Sequence, residues 1–163
     1  MNEVVQWADL VIMAVLMLGL YREIALTLPS RRSPEEGLPV GRRIPAALLD
    51  ELRRAVPRLG ELGGVTVAFV TESCIGCQRL LADIHEALPD LDGRIVLVAK
   101  QPSVSFRDAL RGIPAGTIFD QTGSLWQACR VTATPLVVFV DGSGKVVRKE
   151  VTHDVRRVAL SSP

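Results

Sequence analysis

The 163-residue chain is long enough for one domain of ordinary size and an additional segment. Hydrophobic residues form 48% of it and charged residues 23%, which allows a packed core and excludes wholesale disorder. The formal net charge of +1 lacks the basic excess that nucleic-acid binding requires, so no nucleic-acid partner is expected. Three cysteines are too few for a disulfide-stabilised scaffold.

The N-terminus is the most apolar part of the chain. Between residues 4 and 21 only a glutamine and an aspartate interrupt the apolar sequence, and this length can span a bilayer. Trp7 and Tyr21 stand near its ends, where aromatic rings favour the membrane interface. A buried core helix is the alternative, whereas a cleaved signal peptide is disfavoured because no basic residue precedes the apolar stretch. We therefore predict a single membrane-anchoring transmembrane helix over residues 1–27.

Residues 28–45 are rich in proline, glycine and paired charges, which indicates a linker. From residue 46 onward, helical and strand patterns alternate. Amphipathic spacing predicts helices over 46–59, 78–88, 105–112 and 124–129, and apolar runs predict strands over 65–70, 94–99, 116–120, 136–140 and 146–151. We therefore predict an α/β domain over residues 46–163, with an antiparallel hairpin at one edge of its sheet.

Two cysteines, Cys74 and Cys77, form a CxxC motif between a predicted buried strand and a predicted helix. A zinc site would need a second ligand pair, but the remaining candidates, Cys129, His85 and His153, are isolated in the sequence. A permanent disulfide across so short a loop would add little stability. These arguments leave a redox-active pair as the favoured interpretation.

The predicted positions of the two cysteines differ in a way that suits thiol–disulfide exchange. Cys74 would lie at the helix N-terminus, where free N–H groups and the helix dipole favour a thiolate. Cys77, one turn further, would be more buried and protonated. Exchange requires this asymmetry, because one thiol attacks and the other resolves the mixed disulfide.

The strand, the CxxC motif, the helix and the later sequence VTATPLVVFVDGSGKVV together resemble the thioredoxin superfamily, over residues 64 to 150. The resemblance implies a thioredoxin-like fold with a central mixed sheet flanked by helices. It also implies that the Thr134–Pro135 bond is cis, that this loop lies beside the CxxC motif, and that it binds the backbone of a partner protein. Cys74 and Cys77 would be the catalytic residues, with no metal and no organic cofactor.

Two further segments resemble particular branches of that superfamily. The sequence IFDQTGSLWQACRVTATP is similar to the TlpA/ResA-like branch, whereas the apolar N-terminus, GLPVGRRIPAALL and TESCIGCQRLL are similar to MauD-type proteins of methylamine utilisation. The resemblance implies a membrane-tethered oxidoreductase for protein disulfides, in maturation of an enzyme such as methylamine dehydrogenase. The alternatives are a reductant for cytochrome c maturation and, in another class, a copper metallochaperone using Cys74, Cys77 and His153.

The motif departs from thioredoxin at several positions. Ser73 replaces an aromatic residue, and Ile75 and Gly76 replace the glycine and proline between the cysteines, so the direction of electron flow stays open. Ala68 replaces a buried aspartate that accepts the proton of the second thiol. Glu72 is the nearest carboxylate in sequence that could support the pair.

Two arguments about membrane orientation conflict. Basic residues follow the predicted anchor and none precedes it, so the positive-inside rule would leave the domain in the cytoplasm. The resemblance to TlpA- and MauD-type proteins implies the extracytoplasmic side, where protein disulfides persist. We predict a single-pass protein of the cell membrane with its domain outside, because a tethered redox role is best explained there.

Overall fold

The computed structural model describes residues 36–91, 94–113 and 116–152, together with four helical positions between 13 and 19. Within these ranges the helices are α1 (Ala46–Ala55), α2 (Ile75–Leu91), α3 (Val104–Arg111) and α4 (Ser124–Ala128). The strands are β1 (Gly64–Val70), β2 (Ile95–Lys100), β3 (Gly116–Asp120), β4 (Leu136–Asp141) and β5 (Val146–Val151). All of the elements predicted in these ranges are present, with ends that differ by a few residues.

The five strands form one mixed sheet in the order β3-β2-β1-β4-β5. β1 is parallel to β2, and β2 is parallel to β3, as helical crossovers require. β4 runs antiparallel to both β1 and β5. The predicted mixed sheet with an antiparallel hairpin at one edge is therefore confirmed. The carboxyl end of β1 lies beside the beginning of β4, where Phe69 is paired with Leu136.

The central strand β1 is buried along its whole length, which explains its uninterrupted apolar sequence. Successive side chains point to opposite faces of the sheet and join two separate cores. On one face Phe69 packs in a core that includes Leu52 of α1 and Trp126 of α4. On the other face Ala68 packs in a core that includes Cys77 of α2 and Leu110 of α3. The sheet is thus flanked by helices on both sides.

The first helix is shorter than its amphipathic pattern predicts. The pattern extends to residue 59, but α1 ends at Ala55 and Val56 has extended backbone angles of φ −131° and ψ 84°. Pro57 is the reason, because a proline disfavours helical geometry in the residue before it. Leu59 remains buried beyond the end of the helix, so its apolar spacing reflects packing rather than helical structure.

Part of the predicted linker is packed against the sheet. The Gly41 N–H donates to the Val146 carbonyl at 2.7 Å, and the Val146 N–H donates to the Arg42 carbonyl at 2.8 Å. Ile44 is buried in the same core as α1. Most of these contacts are backbone hydrogen bonds. The segment is predicted to be a linker because it has few apolar side chains, and backbone hydrogen bonds cannot be recognised from that composition. The described half of this segment therefore adds to the β5 side of the domain.

The predicted anchor over residues 1–27 lies outside the described residues, apart from the four positions already given. Among the residues that the structure describes, none belongs to a helix that is both long and apolar enough to cross a membrane.

Candidate active site

The loop between β1 and α2 holds both cysteines of the CxxC motif. Cys74 directly precedes the first residue of α2, and its Sγ atom accepts a hydrogen bond from the Cys77 N–H at 3.1 Å. This contact caps the helix N-terminus as a serine or aspartate side chain would. Both residues are free thiols in this structure. The motif thus places the Cys74 sulfur where unpaired N–H groups meet the positive end of the helix dipole.

Burial separates the two thiols. Cys74 is half-buried, whereas the Cys77 side chain is 0% exposed and lies in the core that contains Ala68 and Leu80. A partner protein could therefore reach Cys74 directly, but it could reach Cys77 only through Cys74.

The environments of the thiols also shift their acidities in opposite directions. Partial burial raises the pKa of Cys74, but hydrogen bonds from the Cys77 thiol, the Thr134 side chain and the Cys77 and Gly76 N–H groups outweigh it and lower the pKa below the ordinary value. Burial, and then the hydrogen bond to Cys74, raise the pKa of Cys77 to about 11. Near neutral pH Cys74 is therefore the better nucleophile, and Cys77 stays a thiol.

The loop before β4, residues 132–135 and here called the proline loop, completes the site. The Thr134–Pro135 peptide bond is cis, as predicted. In the thiol form the Cys74 Sγ atom donates to the Thr134 carbonyl at 3.4 Å, and the Thr134 hydroxyl lies 3.5 Å from that of Thr71. A Cβ atom on Gly76 would lie only 3.0 Å from Cδ of Pro135, so the glycine permits this close approach. The predicted proximity of the loop to the CxxC motif is confirmed.

Two other residues predicted to support the pair are exposed. The Glu72 carboxylate accepts hydrogen bonds from the Ser103 hydroxyl at 3.0 Å and from the Ser103 N–H at 3.4 Å. Ser103 in turn caps α3, so Glu72 connects the cysteine loop to that helix. Ile75, between the cysteines, is 69% exposed. It presents an apolar side chain next to the reactive sulfur.

A buried carboxylate that the sequence analysis missed lies behind the proline loop. Glu36 accepts hydrogen bonds from the Thr132 N–H at 2.6 Å, the Ala133 N–H at 2.5 Å and the Thr132 hydroxyl. Its side chain is buried in spite of its charge. Burial raises the pKa of Glu36, but these hydrogen bonds and the positive charge of Lys149 lower it overall. No local pattern marks this glutamate, because its partners are about a hundred residues away in the sequence.

The third cysteine lies on the other face of the sheet. Cys129 is buried in the core that contains Trp126, whereas Cys77 belongs to the opposite core. Burial and the nearby Asp120 carboxylate raise the pKa of Cys129 to about 12. The interpretation of Cys129 as a small buried hydrophobic residue is confirmed, and the sheet separates it from Cys74 and Cys77.

The histidines do not join the site in the described part of the chain. His85 is exposed on α2, and His153 lies outside the described residues. Within the ranges that the structure describes, no three histidine, cysteine, aspartate or glutamate side chains are grouped to hold a metal ion.

No protein-family model and no curated protein sequence matches the chain. Among solved structures it is similar to the thioredoxin domain of a thiol-disulfide oxidoreductase from Bacteroides vulgatus, with a TM-score of 0.55 and 17% identity over 74% of this chain and 96% of that one. A thiol:disulfide interchange protein from Bacteroides sp. has a TM-score of 0.51 and 17% identity, over 78% and 91% of the two chains. StoA from Bacillus subtilis has a TM-score of 0.51 and 14% identity, over 65% and 87%.

These similarities confirm the predicted thioredoxin-like α/β fold. The chain therefore combines that fold with a close pair of unequal thiols and an adjacent cis-proline loop.

The unequal acidities predict selective alkylation of the reduced protein. We expect iodoacetamide at neutral pH to modify Cys74 and to leave Cys77 and Cys129 as thiols, because only the Cys74 pKa is lowered. Modification of Cys77 should stay far slower than that of Cys74, because the Cys77 thiol is fully buried and burial raises its pKa to about 11. Peptide mass spectrometry of the alkylated protein measures all three sites. Equal modification of Cys74 and Cys77 at neutral pH would contradict the assignment.

Ala68, which lies in the same core as Cys77, leads to a second prediction, on the pH dependence of disulfide exchange. An aspartate at position 68 would place an ionisable group in the Cys77 core, so we expect Ala68→Asp to change the pH dependence of disulfide exchange. Ala68→Asn is the matched control, because it adds a side chain of similar size and polarity that does not ionise. Exchange rates measured against pH for both variants test this. Superimposable profiles for Ala68→Asp and Ala68→Asn would show that another group already accepts the proton.

Proposed function

We propose that the protein is a thiol–disulfide oxidoreductase that acts on disulfides of partner proteins through Cys74 and Cys77. The observation that carries this proposal is the pairing of an accessible thiol of lowered pKa with a buried thiol of raised pKa, one helical turn away. The direct contact between Cys74 and the cis-proline loop supports it further. The exchange that we propose uses only the two thiols of this chain and a disulfide of the partner.

The reaction follows from this geometry. The Cys74 thiolate attacks one sulfur of a partner disulfide, so that the partner's S–S bond breaks, a mixed disulfide forms, and the other partner sulfur leaves as a thiolate and takes up a proton. Cys77 then loses its proton to solvent and attacks Sγ of Cys74. The bond between Cys74 and the partner breaks, and the second partner sulfur leaves as a thiolate and takes up a proton. Cys74 and Cys77 become a disulfide, and the partner has gained two electrons. The same steps run in reverse when the protein is the oxidant.

The proline loop is where we place the partner's backbone. Thr134 contacts the Cys74 sulfur through its carbonyl, and its exposed neighbours Thr132 and Ala133 continue along the same surface. An extended segment that pairs with this loop would bring its own sulfur to Cys74. The exposed Ile75 side chain would contact the residues that flank the partner's cysteine.

We further propose that residues 1–27 anchor the protein in the cell membrane with the redox domain on the extracytoplasmic side. The apolar sequence supports the anchor, and the persistence of protein disulfides outside the cytoplasm supports the location. The resemblance of the anchor and the cysteine motif to MauD-type proteins favours a redox enzyme such as methylamine dehydrogenase as the substrate. A reductant for cytochrome c maturation is the alternative within the same chemistry.

The first test of this function is covalent trapping. We expect Cys77→Ser to accumulate mixed disulfides with partner proteins in cells, because Cys74 can still attack and nothing resolves the adduct. Cys74→Ser should accumulate few, since the remaining Cys77 thiol is buried and its pKa is raised. Non-reducing electrophoresis followed by mass spectrometry identifies the adducts.

Cys129→Ser in the Cys77→Ser background is the matched control for trapping, because Cys129 is buried on the opposite face of the sheet. Adducts that disappear with Cys129→Ser, or equal trapping by Cys74→Ser and Cys77→Ser, would remove the proposed roles of the two thiols.

The proposed extracytoplasmic location of the domain predicts that Cys74 can be labelled in intact cells. After reduction, a membrane-impermeant maleimide should modify Cys74 without lysis, because this thiol is partly exposed and ionises readily. A cytoplasmic thiol protein serves as the control for cell integrity. Labelling of Cys74 only after lysis would place the domain in the cytoplasm, as the distribution of basic residues implies.

A further inference from the structure

Among the described residues, the hydrogen bonds to the Glu36 carboxylate come from the loop that precedes the redox-site proline. Oε1 of Glu36 accepts both the Thr132 and the Ala133 N–H groups, and Oε2 accepts the Thr132 hydroxyl. Glu36 is 8% exposed, and a buried carboxylate is stable only when such hydrogen bonds replace its hydration. Hydrogen bonds to an ionised acceptor are also stronger than neutral ones. The carboxylate therefore strongly constrains the backbone of Thr132 and Ala133.

The backbone of Glu36 is itself held in place. The Lys149 ammonium group donates to the Glu36 carbonyl at 2.6 Å, and the Gly37 N–H donates to the Arg130 carbonyl at 3.0 Å. Gly37 has a φ of +68°, and a Cβ atom there would lie 2.8 Å from a methyl group of Leu136. Glycine is thus strongly favoured directly after Glu36. The segment is fastened to β5 and to the loop after α4, so the carboxylate acts from a fixed position.

The constrained residues lead directly into the redox site. Thr134 follows Ala133, and its carbonyl accepts the hydrogen bond from the Cys74 sulfur. Its side chain is among the groups that stabilise the Cys74 thiolate. A shift of the Thr132 and Ala133 backbone would therefore change the distance between Thr134 and the reactive sulfur.

We propose that Glu36 is a positioning residue of the redox site: its carboxylate holds the Thr132–Ala133 backbone so that Thr134 stays in contact with Cys74. The proposal deepens the proposed thiol–disulfide function and rests on it for its biological meaning. Glu36 touches neither thiol, and it acts only through the loop.

A matched carboxylate exists at the other end of β4. Asp141 accepts hydrogen bonds from the Ser143 N–H at 2.9 Å, the Ser143 hydroxyl at 2.7 Å and the Lys145 N–H at 2.9 Å. It therefore fixes a loop through two N–H groups and one hydroxyl, as Glu36 does. Its loop connects β4 to β5, whereas the redox-site proline precedes β4. Substitution of Asp141 measures the effect of losing such a loop contact away from the thiols.

The experiment compares Glu36→Ala, Glu36→Gln and Asp141→Ala with the wild type in the reduced full-length protein. The rate of Cys74 alkylation by iodoacetamide is measured against pH, and unfolding by denaturant is measured in parallel. Glu36→Ala should slow alkylation at neutral pH by roughly tenfold, the scale of losing the hydrogen bond from the Thr134 side chain to the charged Cys74 sulfur, and should move the pH profile upward. Asp141→Ala should stay within about twofold of the wild type, because distant residues act independently.

Glu36→Gln should lie between Glu36→Ala and the wild type. Its amide oxygen still accepts both N–H groups, but the charge and the acceptor for the Thr132 hydroxyl are lost. If Glu36→Ala does not fold, Glu36→Gln provides the test, because its amide binds the two N–H groups without charge and meets the Thr132 hydroxyl as a donor. A profile identical to the wild type for Glu36→Ala, or for Glu36→Gln where Glu36→Ala does not fold, would overturn the proposal. So would an equal shift of the profile by Asp141→Ala and Glu36→Ala.

The readout separates this proposal from the proposed function. Alkylation requires only the Cys74 thiol and no disulfide partner. A slowed Glu36→Ala profile in a protein that traps no partner would retain the positioning role and remove the oxidoreductase function. Efficient trapping by Cys77→Ser, together with an unchanged Glu36→Ala profile, would do the opposite.

Discussion

The hydrogen bond from the Cys77 N–H to the Cys74 sulfur is the interaction on which the site depends. It requires α2 to begin immediately after Cys74, and this requires β1 to end at Val70 with the short loop that follows. β1 is held at that position by parallel pairing with β2 and antiparallel pairing with β4. The buried central strand therefore determines where the helix dipole acts, and the dipole and its free N–H groups act on the Cys74 sulfur.

The unequal chemistry of the two thiols follows from helical geometry. A residue three positions after the helix cap lies one turn along, and here that turn directs Cys77 into the core beneath the sheet. Burial keeps Cys77 protonated, while the helix N–H groups that the Cys74 sulfur caps stabilise the Cys74 thiolate. The proline loop also contributes, because Thr134 lies two residues before β4, the strand that pairs antiparallel with β1. Two adjacent central strands thus bring together parts that are far apart in the sequence.

Local patterns were sufficient for much of this arrangement. The apolar runs predicted all five strands in the described part of the chain. The resemblance to the thioredoxin superfamily, carried by the CxxC motif and Thr134–Pro135, predicted the cis bond and the proline loop beside Cys74. The sequence pattern extended α1 too far because it did not separate apolar spacing from the effect of Pro57. It also missed Glu36, whose role arises from hydrogen bonds to residues about a hundred positions away. Composition alone could not distinguish this glutamate from a solvated charge in a linker.

The carboxylates of the site are placed around the thiols rather than beneath them. Glu36 holds the proline loop, and Glu72 holds the start of α3, whereas position 68 beneath Cys77 is an alanine. In the proposed exchange, resolution of a mixed disulfide requires the Cys77 proton to leave, and burial opposes a free thiolate there. The attacking and leaving sulfurs lie on opposite sides of Cys74 Sγ during an in-line displacement, so no proton passes directly between them. Cys77 therefore loses its proton to solvent and the leaving thiolate takes one up from solvent, without the fixed base that an aspartate at position 68 would provide.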